Sequence, residues 1–317
     1  MPFPSLKLQL RVPRHAVGAS QDSLPGVPPG LLSRLEWRVR HAVANTISGD
    51  YRSVFRGRGM EFDQVVKFEW GDDPRDIDWN VTARLGEPYR KRFVEERDLS
   101  VMLIFEDSPA LQFGSQGRTR RETLLQVAAL LMLLGTANKD RVSLLYVSPA
   151  EQWFERAPPG RRDIIRVVSR LLSQPAPVLG GAPSSAVPWN FVRNVAAQRS
   201  VLPWLGPFLP ATLPPGWRDL QQRYQVVGVR ADDAWDEELP ADTRFAAYDP
   251  LSGQLTAIDT TSVAERAAHR RWRGEREGHF AHLFPRLSDR MNVGNEEDPL
   301  NALVAYFHRV ASARVVR

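Results

Sequence analysis

The sequence has no cysteine, only four lysines and no long apolar run, and each shortage narrows the possible functions. Without cysteine there are no disulfides and no thiolate chemistry, as is common in cytoplasmic proteins. The most apolar stretch, Leu124 to Leu134, is shorter than the roughly eighteen residues that a membrane helix needs and is interrupted by Gln126. The first thirty residues also lack a charged segment followed by an apolar one, so no signal peptide is predicted. We therefore expect a cytoplasmic protein with no membrane insertion.

The charge is carried mainly by arginine. The chain has 42 basic and 37 acidic residues, and lysine occurs only at positions 7, 67, 91 and 139. Arginine binds carboxylates and phosphates in a bidentate manner, so these residues are compatible with a protein or a nucleic-acid interface. A GC-rich genome that favours arginine codons explains the same bias. The basic stretches at 89–93 and 266–276 are interrupted by or flanked with glutamate, which favours a solvated, self-paired surface over phosphate binding.

Three regions are distinguished by composition and pattern. Residues 1–30 are rich in proline and glycine and are interpreted as an irregular arm. Residues 31–98 contain one helix, from 31 to 47, followed by extended segments and turns. Residues 99–317 alternate between strand and helix patterns, which is typical of a doubly wound α/β sheet with helices on both faces.

The alternation in the third region starts with an apolar run at 99–105, as expected for a strand buried on both faces. Thr119 and Glu122 form a capping-box pattern that starts a helix. Pro203 weakens the assignment of residues 200–205 as a central strand. The further predicted strands are 141–147, 151–156, 224–230 and a strand pair at 244–258, and the further helices are 161–172, 189–198, 213–223, 262–284 and 299–313.

The stretch from Phe68 to Arg84, FEWGDDPRDIDWNVTAR, is the most informative motif. Its Gly-Asp-Asp-Pro sequence is turn chemistry, and Asp72 or Asp76 is placed to cap a short helical turn. With the upstream sequence from Gly49, it resembles the signature of the domain of unknown function 58 family, whose members contain a von Willebrand factor A-like domain. The matching positions are Gly49, Ser53, Gly57, Gly59, Glu61, Phe62, Gly71, Asp72, Asp73, Arg75, Ile77, Asp78, Trp79, Ala83 and Arg84.

The resemblance implies a mainly parallel, Rossmann-like sheet of von Willebrand factor A type, preceded by a helix and a small extended segment. Family members are commonly encoded beside MoxR-type AAA ATPases, so such an ATPase is the partner that the resemblance implies. Within the signature, we expect a structural network rather than a general acid/base pair. In that network Asp72, Asp73 and Asp78 pair with Arg75 and Arg84, and Trp79 packs beneath them. Gly71 to Arg84 are then signature or partner-binding residues.

The resemblance also implies a divalent-cation site, built from Asp-x-Ser-x-Ser in the loop after the first strand of the sheet. Here Glu106 takes the aspartate position, Ser108 the first serine and Ala110 the second. Glutamate places its carboxylate about 1.5 Å further out, and alanine supplies no ligand. The threonine loop of the family becomes 180–184 (GGAPS), and a later aspartate becomes Pro207.

These changes predict that the metal site is lost. An alternative register uses Asp107, but Pro109 then stands where a hydroxyl is needed. Glu106, Asp107 and Ser108 are interpreted mainly as loop and helix-capping residues. No cofactor or catalytic residue is predicted.

The combined expectation is a non-enzymatic protein-interaction module that acts as adaptor or assembly partner of a MoxR-type AAA ATPase. The degenerate metal-ion-dependent adhesion site would make binding independent of a cation. The alternative is a nucleic-acid-binding protein that uses arginine-rich surfaces, which is less favoured. A hydrolase that uses the aspartates of the signature ranks last, because the sequence contains no complete catalytic motif.

Overall fold

The computed structural model describes residues 30–42, 48–55, 60–70, 72–95, 99–157, 160–180, 186–211, 213–249 and 252–315. The arm at 1–29, Gly57, Gly59, Gly71 and residues 181–184 of the proposed threonine loop lie outside this part of the chain.

The described residues form helices and strands that largely follow the predicted alternation. The helices are α1 (Leu31–Ala42), α2 (Ser48–Phe55), α3 (Trp79–Leu85), α4 (Arg120–Ala137), α5 (Arg161–Leu172), α6 (Trp189–Val195), α7 (Trp217–Arg223), α8 (Ala234–Glu237), α9 (Val263–Leu283) and α10 (Pro299–Val315). The strands are β1 (Met60–Lys67), β2 (Tyr89–Glu95), β3 (Ser100–Glu106), β4 (Arg141–Val147), β5 (Gln152–Glu155), β6 (Val201–Leu205), β7 (Gln225–Asp232), β8 (Arg244–Tyr248), β9 (Leu255–Asp259) and β10 (Arg290–Gly294).

Six strands form the central sheet in the order β10-β7-β6-β3-β4-β5. All neighbouring pairs are parallel except β4 and the edge strand β5. Within this sheet the polypeptide runs from β3 outward to the edge strand β5. It then returns to β6 beside β3 and runs outward to the opposite edge strand, β10. This is the doubly wound arrangement that the sequence predicts, and its topological switch point lies between β3 and β6.

Helices cover both faces of the sheet because successive side chains of a strand point to opposite sides. On one face, Leu103 and Phe105 pack in a core that includes α1, α2, α4, α5 and α10. On the other, Met102 and Ile104 pack against an aromatic cluster from α6, α7 and α9. Burial of β3 on both faces explains its continuous apolar sequence.

The N-terminal helices are part of the first of these cores. Leu35 and Val39 of α1 are buried, and α1 packs against α4. Tyr51 and Phe55 of α2 form edge-to-face contacts with Phe307 of α10. Burial, and then the nearby Asp140 carboxylate, raise the pKa of the Tyr51 hydroxyl well above its usual range.

The described residues 60–70 and 72–95, here called the signature module, contain a two-stranded sheet apart from the six-stranded one. Strands β1 and β2 pair antiparallel, with an irregularity between Phe62 and Gln64, and their connection contains a 3-10 turn and α3. Within the described residues, no element of the module makes a substantial contact with the six-stranded sheet or its helices. A hairpin of two strands has little stability of its own, so this unit depends on its turn and capping interactions.

Four expectations about local structure are corrected. Helices α2 and α3 lie where only extended segments and turns were predicted. Pro203 lies in a central strand, against expectation. The β3–β6 ladder pairs Val101 with Val201 and resumes at Ile104 with Trp204, so the missing N–H of proline falls in the gap. Strand β10 was not predicted, because it is short and only Met291 and Val293 are buried.

In the part of the chain that the structure describes, no helix combines the length and the apolar character needed to cross a bilayer.

Candidate functional site

The candidate site lies at the carboxyl ends of β3 and β6, where doubly wound sheets place their ligands. Glu106 is the last residue of β3, and it is buried. Its Oε2 accepts a hydrogen bond from Trp204 Nε1 of β6 at 2.8 Å. A Cβ added to Gly206 would lie 3.0 Å from the same oxygen, so glycine allows the carboxylate to lie against the end of β6. Glu106 is thus held by an indole and packs closely against Gly206.

Asp107 is fully buried and forms an ion pair with the largely buried Arg121 of α4. The Nε of Arg121 donates to both carboxylate oxygens at 3.0 and 2.9 Å, and NH2 donates to Oδ2 at 2.8 Å. The hydroxyl of Tyr146 donates to Oδ2 as well, at 2.8 Å. Burial, and then the charge of Asp107, raise the pKa of the Tyr146 hydroxyl well above its usual range. Asp107 therefore fastens the loop after β3 to α4 and β4.

Ser108, Ala110 and Pro207 take structural positions in the same region. The hydroxyl of Ser108 caps a 3-10 turn by accepting a hydrogen bond from Ala110 N at 3.3 Å. Ala110 and Pro207 lie together on the wall of a cleft of about 40 Å³. This volume is far below the roughly 300 Å³ or more of typical small-molecule sites. The loops after β3 and β6 therefore meet at this cleft.

Within the described residues, no group of three Asp, Glu, His or Cys side chains is arranged to hold a metal ion. Ala110 has no oxygen in its side chain, Pro207 has none either, and the oxygens of Asp107 are occupied by Arg121 and Tyr146. Of the proposed threonine loop, only Gly180 is described, and it has a positive φ of 72°. The loss of the metal site stays a prediction.

A chain of alternating charged side chains lies at the carboxyl end of β7. Arg120 pairs with Asp236, and Asp236 Oδ2 also lies 3.1 Å from Arg276 NH1. Asp232 Oδ1 lies 2.9 Å from Arg276 NH2 and 2.8 Å from Arg230 Nε, at angles too poor for hydrogen bonds. Arg230 also pairs with Glu277, which is the last residue in this row of charges. Apart from Arg276, which lies in the basic stretch 266–276, none of these residues is indicated by the sequence, although Asp232 and Asp233 directly follow the buried run of β7.

Asp233 links the ends of β7 and β10. Its Oδ2 accepts hydrogen bonds from Ser115 N at 2.8 Å and from Asn295 Nδ2 at 3.0 Å, and Oδ1 accepts from Trp235 N. Burial alone would raise the pKa of Asp233, but hydrogen bonds from these three residues lower it below the usual value. The carboxylate therefore serves to close this edge of the sheet.

Asp73 and Asp78 of the signature module cap turns rather than form the expected network. The cap expected of Asp72 or Asp76 is wrong, because Asp76 lies inside the 3-10 turn and Asp72 precedes its cap residue. Asp73 caps the 3-10 turn through Arg75 N at 2.9 Å. Asp78 caps α3 by accepting from Asn80 N and Val81 N. Asp72 pairs with Arg90 of β2 at 2.7 Å.

The expected network is therefore wrong in three respects: the pairing of Arg75, the pairing of Arg84 and the packing of Trp79. Among the described ion pairs, neither Arg75 nor Arg84 binds Asp72, Asp73 or Asp78, and both arginines are exposed. Trp79 does not pack beneath the carboxylates, since 69% of its surface is exposed. Trp70, just before the turn, is fully exposed, and Leu85 at the end of α3 is exposed as well. The physical reason is that short-range hydrogen bonds to free backbone N–H groups compete with ion pairs for aspartate oxygens.

Similar proteins cover most of the chain. An uncharacterized protein from Mycobacterium bovis and two from strains of Mycobacterium tuberculosis are each 27% identical over 252 residues. The matched region spans 75% of this chain and 78% of each relative. A crystal structure of an uncharacterized membrane spanning protein from Vibrio fischeri is 12% identical and covers 69% of this chain and 99% of that chain, with a TM-score of only 0.22.

The family model that matches this chain is described as protein of unknown function DUF58. It covers residues 64–278, which include the turn between β1 and β2, the loop after β3 and the end of β7. Because this match spans more than half of the sequence, the chain belongs to the DUF58 family.

Proposed function

We propose that the protein is a non-enzymatic interaction module that serves as adaptor or assembly partner of a MoxR-type AAA ATPase. In this proposal the six-stranded sheet is a von Willebrand factor A-like domain with a degenerate metal-ion-dependent adhesion site. The strand order and the single antiparallel edge strand support the domain type. The ATPase partner comes from the resemblance of the signature.

One observation carries the interaction role: the signature module exposes two tryptophan side chains. Trp70 and Trp79 lie in solvent, although a tryptophan side chain gains several kcal/mol from burial. Turn and helix caps by Asp73 and Asp78 fix the backbone around them. Tryptophan is also among the residues that contribute most to protein interfaces. We infer that the module presents these indoles to a partner.

The carboxylates of the signature module and of the loop after β3 support a binding role rather than acid/base catalysis. Asp73 and Asp78 satisfy backbone N–H groups, and Asp107 neutralises Arg121. Some of the arginines on which the nucleic-acid alternative rests already form ion pairs with carboxylates of the same protein. Arg90 pairs with Asp72 and Arg276 with Asp236.

The first experiment is affinity purification of the tagged full-length protein from its own host in the presence of ATP, followed by mass spectrometry. We expect to recover a MoxR-type ATPase, and its affinity is then measured with the purified ATPase. Trp79→Ala should weaken binding by about 2 kcal/mol, or roughly 30-fold, as for an interface tryptophan. Trp37→Ala is the matched control, because Trp37 is similarly exposed, at 61%, but lies on α1. Equal affinity of both variants would contradict the role of the module, and recovery of nucleic-acid proteins alone would favour the alternative.

A further inference from the structure

The outer side of helix α5 carries a row of arginines. Arg162, Arg166 and Arg170 are all exposed and follow one another at intervals of four residues. Four residues advance an α-helix by about 6 Å and return the side chain to nearly the same face, so the row is roughly 12 Å long. The opposite side of α5 is buried in the core. The row therefore lies on the surface, on a helix whose position the core fixes.

The positive charges of this row are poorly compensated within the protein. Among the described ion pairs, none includes Arg162. Arg166 lies 3.7 Å from Asp163, and Arg170 lies 3.9 Å from Glu155, so neither arginine forms a hydrogen bond with its carboxylate. Exposed pairs of this kind contribute little and are easily exchanged. The row is thus free to bind further anions.

Helix α1 extends the positive surface beside α5. Arg161, in the first turn of α5, donates from Nε to Glu36 Oε1 of α1 at 2.6 Å. NH2 of Arg40 donates to the same oxygen at 3.2 Å. One carboxylate thus serves two arginines where the two helices meet, and this boundary is positively charged as well.

The guanidinium at the end of the row is held in a fixed orientation. The Cζ of Arg170 lies 4.0 Å from the ring centroid of Trp153 on β5. This indole in turn stacks on Tyr146, with 5.3 Å between the centroids. A guanidinium that already lies flat on an aromatic ring loses little freedom when it binds a carboxylate.

Charge and aromatic packing restrict what the row can bind. A second copy would place arginines against arginines, and residues 1–30 contain Lys7, Arg11 and Arg14 but only one acidic residue, Asp22. Single-stranded nucleic acid is ordinarily bound with bases stacked on aromatic rings. The ring beside this row, Trp153, is already covered by a guanidinium and Tyr146. An acidic polypeptide fits better, because glutamates four residues apart on a helix have the same spacing of about 6 Å.

We propose that the outer side of α5, with the adjacent part of α1, binds an acidic helical segment of a protein partner. Glutamate or aspartate side chains at intervals of four residues lie opposite Arg162, Arg166 and Arg170 and form charge-assisted hydrogen bonds with them. This surface is built from other residues than the signature module, so the inference goes beyond the proposed function and does not depend on the ATPase.

The test is an NMR titration of the full-length, nitrogen-labelled protein at low ionic strength. The probes are an alanine-rich helical peptide with three glutamates at four-residue intervals, the same peptide with glutamine or lysine at these positions, and a short single-stranded oligonucleotide. We expect the amide signals of α5 and the indole signal of Trp153 to shift in a saturable manner with the glutamate peptide. The glutamine peptide should bind at least about tenfold more weakly, because it lacks the charges. Added salt should weaken the binding of the glutamate peptide.

Two double variants localise the effect. Arg162→Glu with Arg166→Glu should abolish binding of the glutamate peptide and allow binding of the lysine peptide. Arg218→Glu with Arg223→Glu is the matched control, since both arginines are exposed on α7, which packs on the opposite face of the sheet. It changes the net charge equally and should leave the affinity for the glutamate peptide within about twofold. All four substitutions are at exposed positions, so both variants should fold.

Three results would overturn the proposal: no saturable shift on α5, equal affinity for the glutamine peptide, or equal loss in both double variants. Tighter binding of the oligonucleotide than of the glutamate peptide, through the same arginines, would assign the surface to nucleic acid and also overturn it. None of these probes involves the ATPase or the tryptophans of the signature module, so failure of the titration is distinguishable from failure of the proposed function.

Discussion

Removing the charge of Asp107 is the sharpest test of whether the loop after β3 is structural. Asp107 is completely buried and accepts three hydrogen bonds from Arg121 and one from Tyr146. In Asp107→Asn, the guanidinium of Arg121 stays buried without a neutralising charge, and the amide turns a donor toward one of the existing donors. Breaking a buried pair in this way costs about 3–5 kcal/mol. That is a large fraction of the roughly 5–15 kcal/mol by which domains are stable.

The assay is urea unfolding at neutral pH, followed by circular dichroism. With a slope of about 3 kcal/mol per molar urea, the loss corresponds to a decrease of roughly 1 M or more in the midpoint. The matched control is Asp163→Asn, which removes an exposed aspartate that lies 3.7 Å from Arg166. We expect it to change the free energy of unfolding by less than about 1 kcal/mol.

A double variant separates the loss of the pair from the burial of one unpaired charge. Asp107→Leu combined with Arg121→Met removes both charges and should be more stable than Asp107→Asn, because no charge is left alone in the interior. Recovery should be incomplete, since Arg121 also donates to the carbonyls of Gln174 and Pro175. A loss below about 1 kcal/mol in Asp107→Asn would refute the reasoning and would leave Asp107 available as a ligand.

Two further predictions concern the core and the pH dependence of stability. Gly228→Ala should destabilise by roughly 1–3 kcal/mol, because the added Cβ would lie 2.2 Å from Phe284 Cε2; Phe284→Leu in the same chain should restore part of the loss in urea unfolding. Tyr146→Phe should reduce the alkaline loss of stability. The raised pKa of Tyr146 stabilises the native state fully below the unfolded value of about 10, and this contribution is lost as the pH rises through the folded pKa. The variant lacks this component, so its unfolding free energy should fall less steeply above pH 10, by up to about 1.4 kcal/mol per unit, and an unchanged slope would contradict the assignment.

The sequence predicts those parts of the fold that local rules decide. The capping box of Thr119 and Glu122 is present with both hydrogen bonds, as its spacing indicates. The apolar run before Glu106 is a strand buried on both faces, because only such a strand needs an uninterrupted apolar sequence. The sequence does not predict the short edge strand β10, because only alternate residues of it are buried. It also argues wrongly against a central strand at Pro203, because a missing N–H weakens a strand only where the ladder has a hydrogen bond at that residue.

The candidate site is predictable only where it depends on the position of a loop in the sheet. Ala110 and Pro207 meet because the carboxyl ends of β3 and β6 are adjacent at the switch point. The partner of Arg120, Asp236, lies more than a hundred positions away in the sequence, and the same aspartate lies about forty positions from Arg276. No local sequence pattern indicates such pairs. The exposure of Trp79 is likewise invisible in the sequence, since an aromatic residue in a turn is ordinarily expected to pack.

Direct contacts hold the carboxyl edge of the sheet at β3, at β6 and after β7, and this bears on how the edge would bind a partner. Glu106 is hydrogen-bonded to Trp204, Asp107 to Arg121, and Asp236 lies between two arginines. An edge whose charges are fixed in this way needs little rearrangement when a partner binds. For the proposed adaptor role, we predict that association through this edge is constitutive and insensitive to chelators of divalent cations. Control would then have to come from the partner, for example from the nucleotide state of the proposed ATPase.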